Sequence, residues 1–145
     1  MPYDEKIVAP MRLELTTIGF KELRSPQDVE KEMAEKSGTM LVVVNSVCGC
    51  AAGMARPGVG MALQNNSARP DRLTTVFAGQ DIEATAKMRA KIGTDIPPSS
   101  PSMALFRDGE LVWMLPRHQI EGRSAAQVAQ SLADAFAKFC IRQTA

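Results

Sequence analysis

The chain has 145 residues, 45% of them hydrophobic, and its seventeen basic and sixteen acidic side chains leave a formal charge of +1. That length suits one packed domain over 1–145, and the near balance of charge offers no electrostatic footprint for nucleic acid or an anionic membrane. The polar start Met1-Pro2-Tyr3-Asp4-Glu5-Lys6 lacks the apolar run of a secretory signal, and the longest apolar run, 40–44, falls far short of the roughly 20 residues a membrane span needs; a cytoplasmic protein is expected.

In chain order, Ile7, Met11, Leu15 and Ile18 recur at helical spacing, predicting a first helix entered through Pro10 and capped by Gly19. Ser25-Pro26-Gln27-Asp28 places a hydroxyl at an N-cap, proline at the first helical position and a carboxylate in the first turn, so a second helix runs to about Lys36 and stops at Gly38. Residues 39–45 are β-branched and almost wholly apolar, as a central strand covered on both faces requires. Residues 51–63 fit a helix that Pro57, Gly58 and Gly60 must kink or restart. A strand over 73–78 follows. A helix over 81–92 should bury Ile82, Thr85, Ala86, Met88 and Ile92, with Glu83 and Lys87 as an i,i+4 pair.

After the Pro- and Ser-rich segment 97–101, strands at 102–106 and 110–115 flank Arg107-Asp108-Gly109, a strong hairpin signal. The last helix starts near Ser124 and aligns Val128, Leu132, Ala135, Phe136 and Phe139. Helix, helix, βαβ, helix, ββα is the element order of a thioredoxin-like α/β fold. We therefore expect a central four-stranded mixed sheet with helices on both faces, an N-terminal helical part (1–38) and a core (39–145).

Three cysteines in a reducing compartment argue against a structural disulfide framework and direct attention to catalysis, metal binding or packing. Cys48 and Cys50 lie one residue apart where the predicted strand hands over to a helix. Thiol exchange needs an attacking thiolate and a second sulfur close enough to resolve the mixed disulfide, and this pair provides both. Unpaired N–H groups and the helix dipole would favour the Cys48 thiolate. Residues i and i+2 of a helix do not face each other, so closing the pair calls for a non-helical backbone, to which Gly49 is suited. A ring this tight suits a reagent that removes or reshuffles disulfides. The alternatives are buried cysteines that merely pack, or a metal-binding or metal-delivery module built on the two thiolates; for zinc only Cys140, His118 and carboxylates could complete the ligand set. Cys140 extends the apolar face of the last helix, which makes packing its first explanation. The nine methionines read as core filler, and Trp113 as cover for the sheet.

The segment Val42-Val43-Val44-Asn45-Ser46-Val47-Cys48-Gly49-Cys50-Ala51-Ala52-Gly53, followed by Ala55-Arg56-Pro57, resembles the active-site signature of the bacilliredoxins, a thioredoxin-like bacterial family. Further matching blocks are Val76-Phe77-Ala78-Gly79-Gln80-Asp81, Pro98-Ser99-Ser100-Pro101-Ser102-Met103-Ala104-Leu105, Pro116-Arg117-His118 and Ile120-Glu121-Gly122. The resemblance implies a thioredoxin fold and reduction of mixed disulfides between client proteins and the small thiol bacillithiol. Cys48 would be the nucleophile and Cys50 the resolving thiol, without metal or bound cofactor, and isomerase activity is suggested as well. It also implies a cis peptide bond at Pro101, facing the reactive sulfur, with Asn45, Ser46, Gly49 and Ser100 as supporting residues. A cis X-Pro bond costs only about 0.5–1 kcal/mol, and the missing N–H leaves the preceding backbone free to pair with substrate. His118, the only histidine, is either a base for Cys50 or a solvated loop residue; Arg56 and Arg117 either hold a carboxylate of the small thiol or are ordinary exposed arginines.

Overall fold

A computed structural model describes residues 2–65 and 68–140. Its centre is a mixed five-stranded sheet in the order β1-β3-β2-β4-β5: β1 (Lys21–Glu22), β2 (Thr39–Asn45), β3 (Arg72–Phe77), β4 (Ser102–Arg107) and β5 (Glu110–Leu115). β1 and β2 run parallel to β3, β4 is antiparallel to β2, and β5 is antiparallel to β4. Five strands replace the expected four. The extra strand, β1, is two residues long, too short to show alternation, and it forms through pairing with Thr74 and Thr75. It joins the part expected to be purely helical to the sheet itself. The last five residues of the expected core lie outside the described residues.

All seven residues of β2 are buried, and they alternate between two cores as a pleated strand must. Leu41 and Val43 point to one face with Met103, Leu105 and Leu115, where α3 (Arg56–Asn65) and α5 (Ala125–Phe139) pack. Met40, Val42 and Val44 point to the other, under α2 (Pro26–Ala34) and α4 (Ile82–Ile92). Complete burial of one such aliphatic side chain stabilises the fold by about 1.5–3 kcal/mol. The α3–α5 seam is close: a Cβ on Gly58 would come 2.7 Å from Val128 Cγ1 and 3.1 Å from the Ala125 carbonyl, so only glycine fits there.

The caps follow the sequence. Ser25 accepts from the Asp28 N–H, Ser124 and Gln127 form a capping box, and Asp108 and Gly109 at φ 52° and 85° turn the β4–β5 hairpin. α2 is shorter than predicted, ending at Ala34.

In α1 (Glu5–Thr16) Pro10 lies inside the helix, which Asp4 caps instead. Its buried stripe is Val8, Arg12 and Leu15, one position off the predicted Ile7 and Met11, because Arg12 turns inward; Ile7 is exposed. In α4 the buried residues are Ala84, Thr85, Met88 and Ile92, with Ile82 and Ala86 on the surface. Lys87 does not pair with Glu83: it joins Lys91 on Glu30 of α2, each at 2.9 Å, and together they hold that carboxyl below its usual range. Among the described residues no helix is long and apolar enough to cross a membrane.

Candidate active site

The strand directions bring four segments to one end of the sheet. The end of β2 lies beside the start of β4, with Val44 opposite Ser102, and the end of β5 lies beside it in turn, with Leu115 opposite Met103. The end of β3 is there too, since Asn45 pairs with Phe77 and the Asn45 carbonyl accepts from the Ala78 N–H at 3.0 Å. Residues 46–50, 78–81, 99–101 and 116–120 therefore share this end.

Cys48 is the point where the helix starts, its carbonyl accepting from the N–H groups of Ala51 and Ala52 at 3.0 and 3.3 Å. Cys48 is half-buried, Gly49 exposed and Cys50 only 8% exposed. The two cysteines are paired as a disulfide with Cα atoms 5.5 Å apart. The helical turn begins at Gly49, and Cys50 already has helical angles, φ −69° and ψ −27°. Gly49 is not among the glycines at positive φ, and a Cβ placed on it would meet nothing within 4 Å. The expected non-helical backbone is thus confined to the Cys48 side of the pair.

A π-helical turn, Ala51–Ala55, follows and passes directly into α3. In it the Arg56 N–H reaches back five residues to the Ala51 carbonyl, just ahead of Pro57, which has no N–H to give. The irregularity expected from Pro57, Gly58 and Gly60 thus takes the form of a π turn ahead of Pro57. Arg56 itself is 3% exposed, and its Nη1 donates to Asn45 Oδ1 and to the Ser46 carbonyl, both at 2.9 Å. Arg56 is therefore not placed to take a substrate carboxylate, as the sequence reading allowed; it braces the loop from below.

Asn45 and Ser46, both buried, complete the brace. Asn45 Oδ1 accepts from the Ser46 N–H, its Nδ2 donates to the Met11 carbonyl of α1, and Ser46 Oγ accepts from the Cys48 N–H at 3.1 Å. Glu14, one helical turn beyond Met11, brings a carboxylate to 3.2 Å from Arg56 Nε. Met11 was expected only as a core position of the first helix, and Glu14 was not singled out from the sequence. Their i,i+3 spacing is the only signal that places them on one face.

The Ser100–Pro101 bond is cis, and Pro101 is buried at the head of β4. Arg117, on a short 3-10 turn (Arg117–Gln119), holds the loop before it. Its backbone N–H donates to Ser99 Oγ at 3.2 Å, and its Nη1 to the Ser100 carbonyl at 3.3 Å. The Arg117 side chain is partly exposed and also pairs with Glu121. His118 is exposed on the same turn, and among the described residues no hydrogen bond joins it to Cys50. Cys140 is buried at the end of α5, burial pushing its thiol pKa up against the opposing bond to Thr39. No group of three or more His, Cys, Asp or Glu residues converges to hold a metal ion among the described residues.

A family model described as "Disulphide isomerase" matches residues 3–140. The chain is 53% identical over 138 residues to a bacilliredoxin of Bacillus cereus, covering 95% of each chain. It is 51% identical over 141 residues to a bacilliredoxin of Salinibacter ruber, covering 97% of this chain and 82% of that one. Among solved structures, the thioredoxin of Fasciola hepatica superposes with a TM-score of 0.57 at 19% identity, over 83% of this chain and 99% of that one, which establishes the fold. The family model and the relatives match almost the whole chain, and the structure seats a cysteine pair at a helix start, so the chain is a thiol-disulfide oxidoreductase and belongs to the bacilliredoxin family.

Proposed function

We propose that this oxidoreductase reduces mixed disulfides between client proteins and bacillithiol, in the cytoplasm, with Cys48 as nucleophile and Cys50 as resolving thiol. The observation that carries this reading is the unequal exposure of two paired cysteines: Cys48 is half-buried, whereas Cys50 is buried. The position of Cys48 at the helix start supports the thiolate form, through the partial positive charge of the unpaired N–H groups.

In the reduced enzyme the Cys48 thiolate attacks the bacillithiol sulfur of the mixed disulfide. The client's sulfur leaves as a thiolate and is reduced, and bacillithiol is now bonded to Cys48. The Cys50 thiolate then attacks Cys48 Sγ and expels bacillithiol as a thiolate. The electrons come from the enzyme's two cysteines, which end as the Cys48–Cys50 disulfide, to be reset by an external thiol reductant. No metal or bound cofactor takes part in this scheme. Ser100 and Pro101 would offer the client their backbone, and Arg117 a charged rim for the small thiol. Turned on a client's own disulfide, the same exchange gives isomerisation, tested by refolding a scrambled disulfide protein.

With a bacillithiolated client as substrate, Cys48→Ser should abolish release of the small thiol. Cys50→Ser should accumulate a bacillithiol adduct on Cys48, visible by intact-mass measurement. Undiminished turnover by Cys48→Ser, or no adduct on Cys50→Ser, would reject the assignment; faster turnover with glutathione or cysteine mixed disulfides would reject bacillithiol as the preferred thiol.

A further inference from the structure

Arg56 carries a charge that has been taken out of water and only loosely neutralised. It is 3% exposed, and the two acceptors of its Nη1, the Asn45 side-chain oxygen and the Ser46 carbonyl, are both uncharged. Its ion pair among the described residues is with Glu14, a half-exposed carboxylate, and although 3.2 Å separates them, the buried Nε makes no hydrogen bond. A half-exposed carboxylate is well screened by solvent, so it offsets the buried cation incompletely.

The residue Arg56 grips, Ser46, is also the one that holds the Cys48 N–H. With Cα atoms 3.8 Å apart along the chain, the guanidinium lies within roughly 10 Å of Cys48. Among the described residues, Arg12 at this end pairs with Glu5, Glu22 and Asp81, Arg24 with Glu5 and Asp81, and Arg117 with Glu121, while Arg89 donates to the Ser99 carbonyl ahead of the cis proline and His118 stands in solvent.

We propose that Arg56 and Glu14 form a tuning pair for the redox reaction: the Arg56 charge favours the Cys48 thiolate, and Glu14, supplied by the N-terminal helix, sets how much of that charge the sulfur feels. Both are positioning residues that touch no substrate. The proposal rests on Cys48 as the attacking thiol but not on the identity of the small thiol.

The test measures the thiolate fraction of Cys48 by ultraviolet absorbance across pH, in a Cys50→Ser background that removes the coupled titration. A unit charge at roughly 10 Å in an effective dielectric of about 20 changes the thiolate-to-thiol ratio about tenfold. On the acid side of the midpoint, Arg56→Met should lower that ratio about tenfold and Glu14→Gln should raise it about threefold, the smaller figure reflecting solvent screening. Arg56→Lys, which keeps the charge but not the planar fork, should restore most of the loss.

Opposite signs are the signature, because a merely structural brace would move both variants the same way or neither. Same-sign changes, or no change, overturn the proposal. Should Arg56→Met fail to fold, Glu14→Gln and Glu14→Lys decide it: the ratio must rise in both, and more in the second. The absorbance reading uses no mixed disulfide, so its failure leaves the bacillithiol assignment standing, and failure of adduct trapping leaves this pair untouched.

Discussion

Two arginines are buried near the same end of the sheet, and they are solvated by the protein in opposite ways. Arg12, 7% exposed, has carboxylates on every arm: Glu5 at 2.7 Å, Glu22 at 3.1 Å and both oxygens of Asp81 at 2.7 and 3.1 Å, with the Phe77 ring 5.3 Å from the guanidinium carbon. Burial disfavours its charge, but the bonds to Asp81, Glu5 and Glu22 outweigh that and hold its pKa above the ordinary value. Arg56 has two uncharged oxygens and one loose, half-exposed carboxylate. The first arrangement spends its electrostatics on clasping α1, β1 and the β3–α4 turn together. The second leaves positive potential under the loop that carries the sulfurs.

Removing Arg12 should therefore cost the most stability. Arg12→Met strands Asp81 and Glu22 with their charges partly desolvated, and we expect a loss of about 3 kcal/mol, measured by urea unfolding. A loss under about 1 kcal/mol would mean that the clasp contributes little beyond packing. Next in size is Asn45→Asp, which would give Arg56 the kind of partner Arg12 enjoys. It should cut the Cys48 thiolate ratio about tenfold in the absorbance titration, and a rise would break the contrast between the two sites.

A smaller effect lies in the acid limb of stability. Glu5 is held below the ordinary carboxyl value of 4.5, first by its hydrogen bond to Arg12. A depressed folded-state pKa adds stability that is fully present above the unfolded value and lost as pH falls through the folded one. The gap in melting temperature between wild type and Arg12→Met should therefore narrow below about pH 4.5. A gap that stays constant there would show that Glu5 gains nothing from the guanidinium. Smallest is Gly49→Ala, at an exposed position with open space around it and no positive φ. Its stability should stay within about 0.5 kcal/mol of wild type, in contrast to changes at either arginine.

Much of this organisation could be read from residue order because it is set locally. Ser25, Ser124 and Asp108-Gly109 act on neighbours a few positions away, and the run 39–45 is apolar on both faces wherever it is placed. That Cys48 and Cys50 can pair was legible for the same reason, from their spacing. What escaped was decided by long-range partners. β1 exists only against Thr74 and Thr75; Arg12 turns inward only because Asp81, 69 positions away, receives it. Arg56 looked like a surface cation because its acceptors, 10 and 11 residues upstream, are a backbone oxygen and an amide that carry no charge to announce a pairing.

The close seam at Gly58 has a consequence for the newly made chain. The helix that follows the two cysteines is seated against Val128 and Ala125 with no spare clearance at Gly58, yet those residues leave the ribosome some seventy to eighty positions after the cysteines. Until α5 is made, one wall of that seat is missing, and the cysteine segment has the contacts from Asn45, Ser46, Arg56 and α1 to hold it. The packing that seats α3 is thus completed late in the chain, by α5.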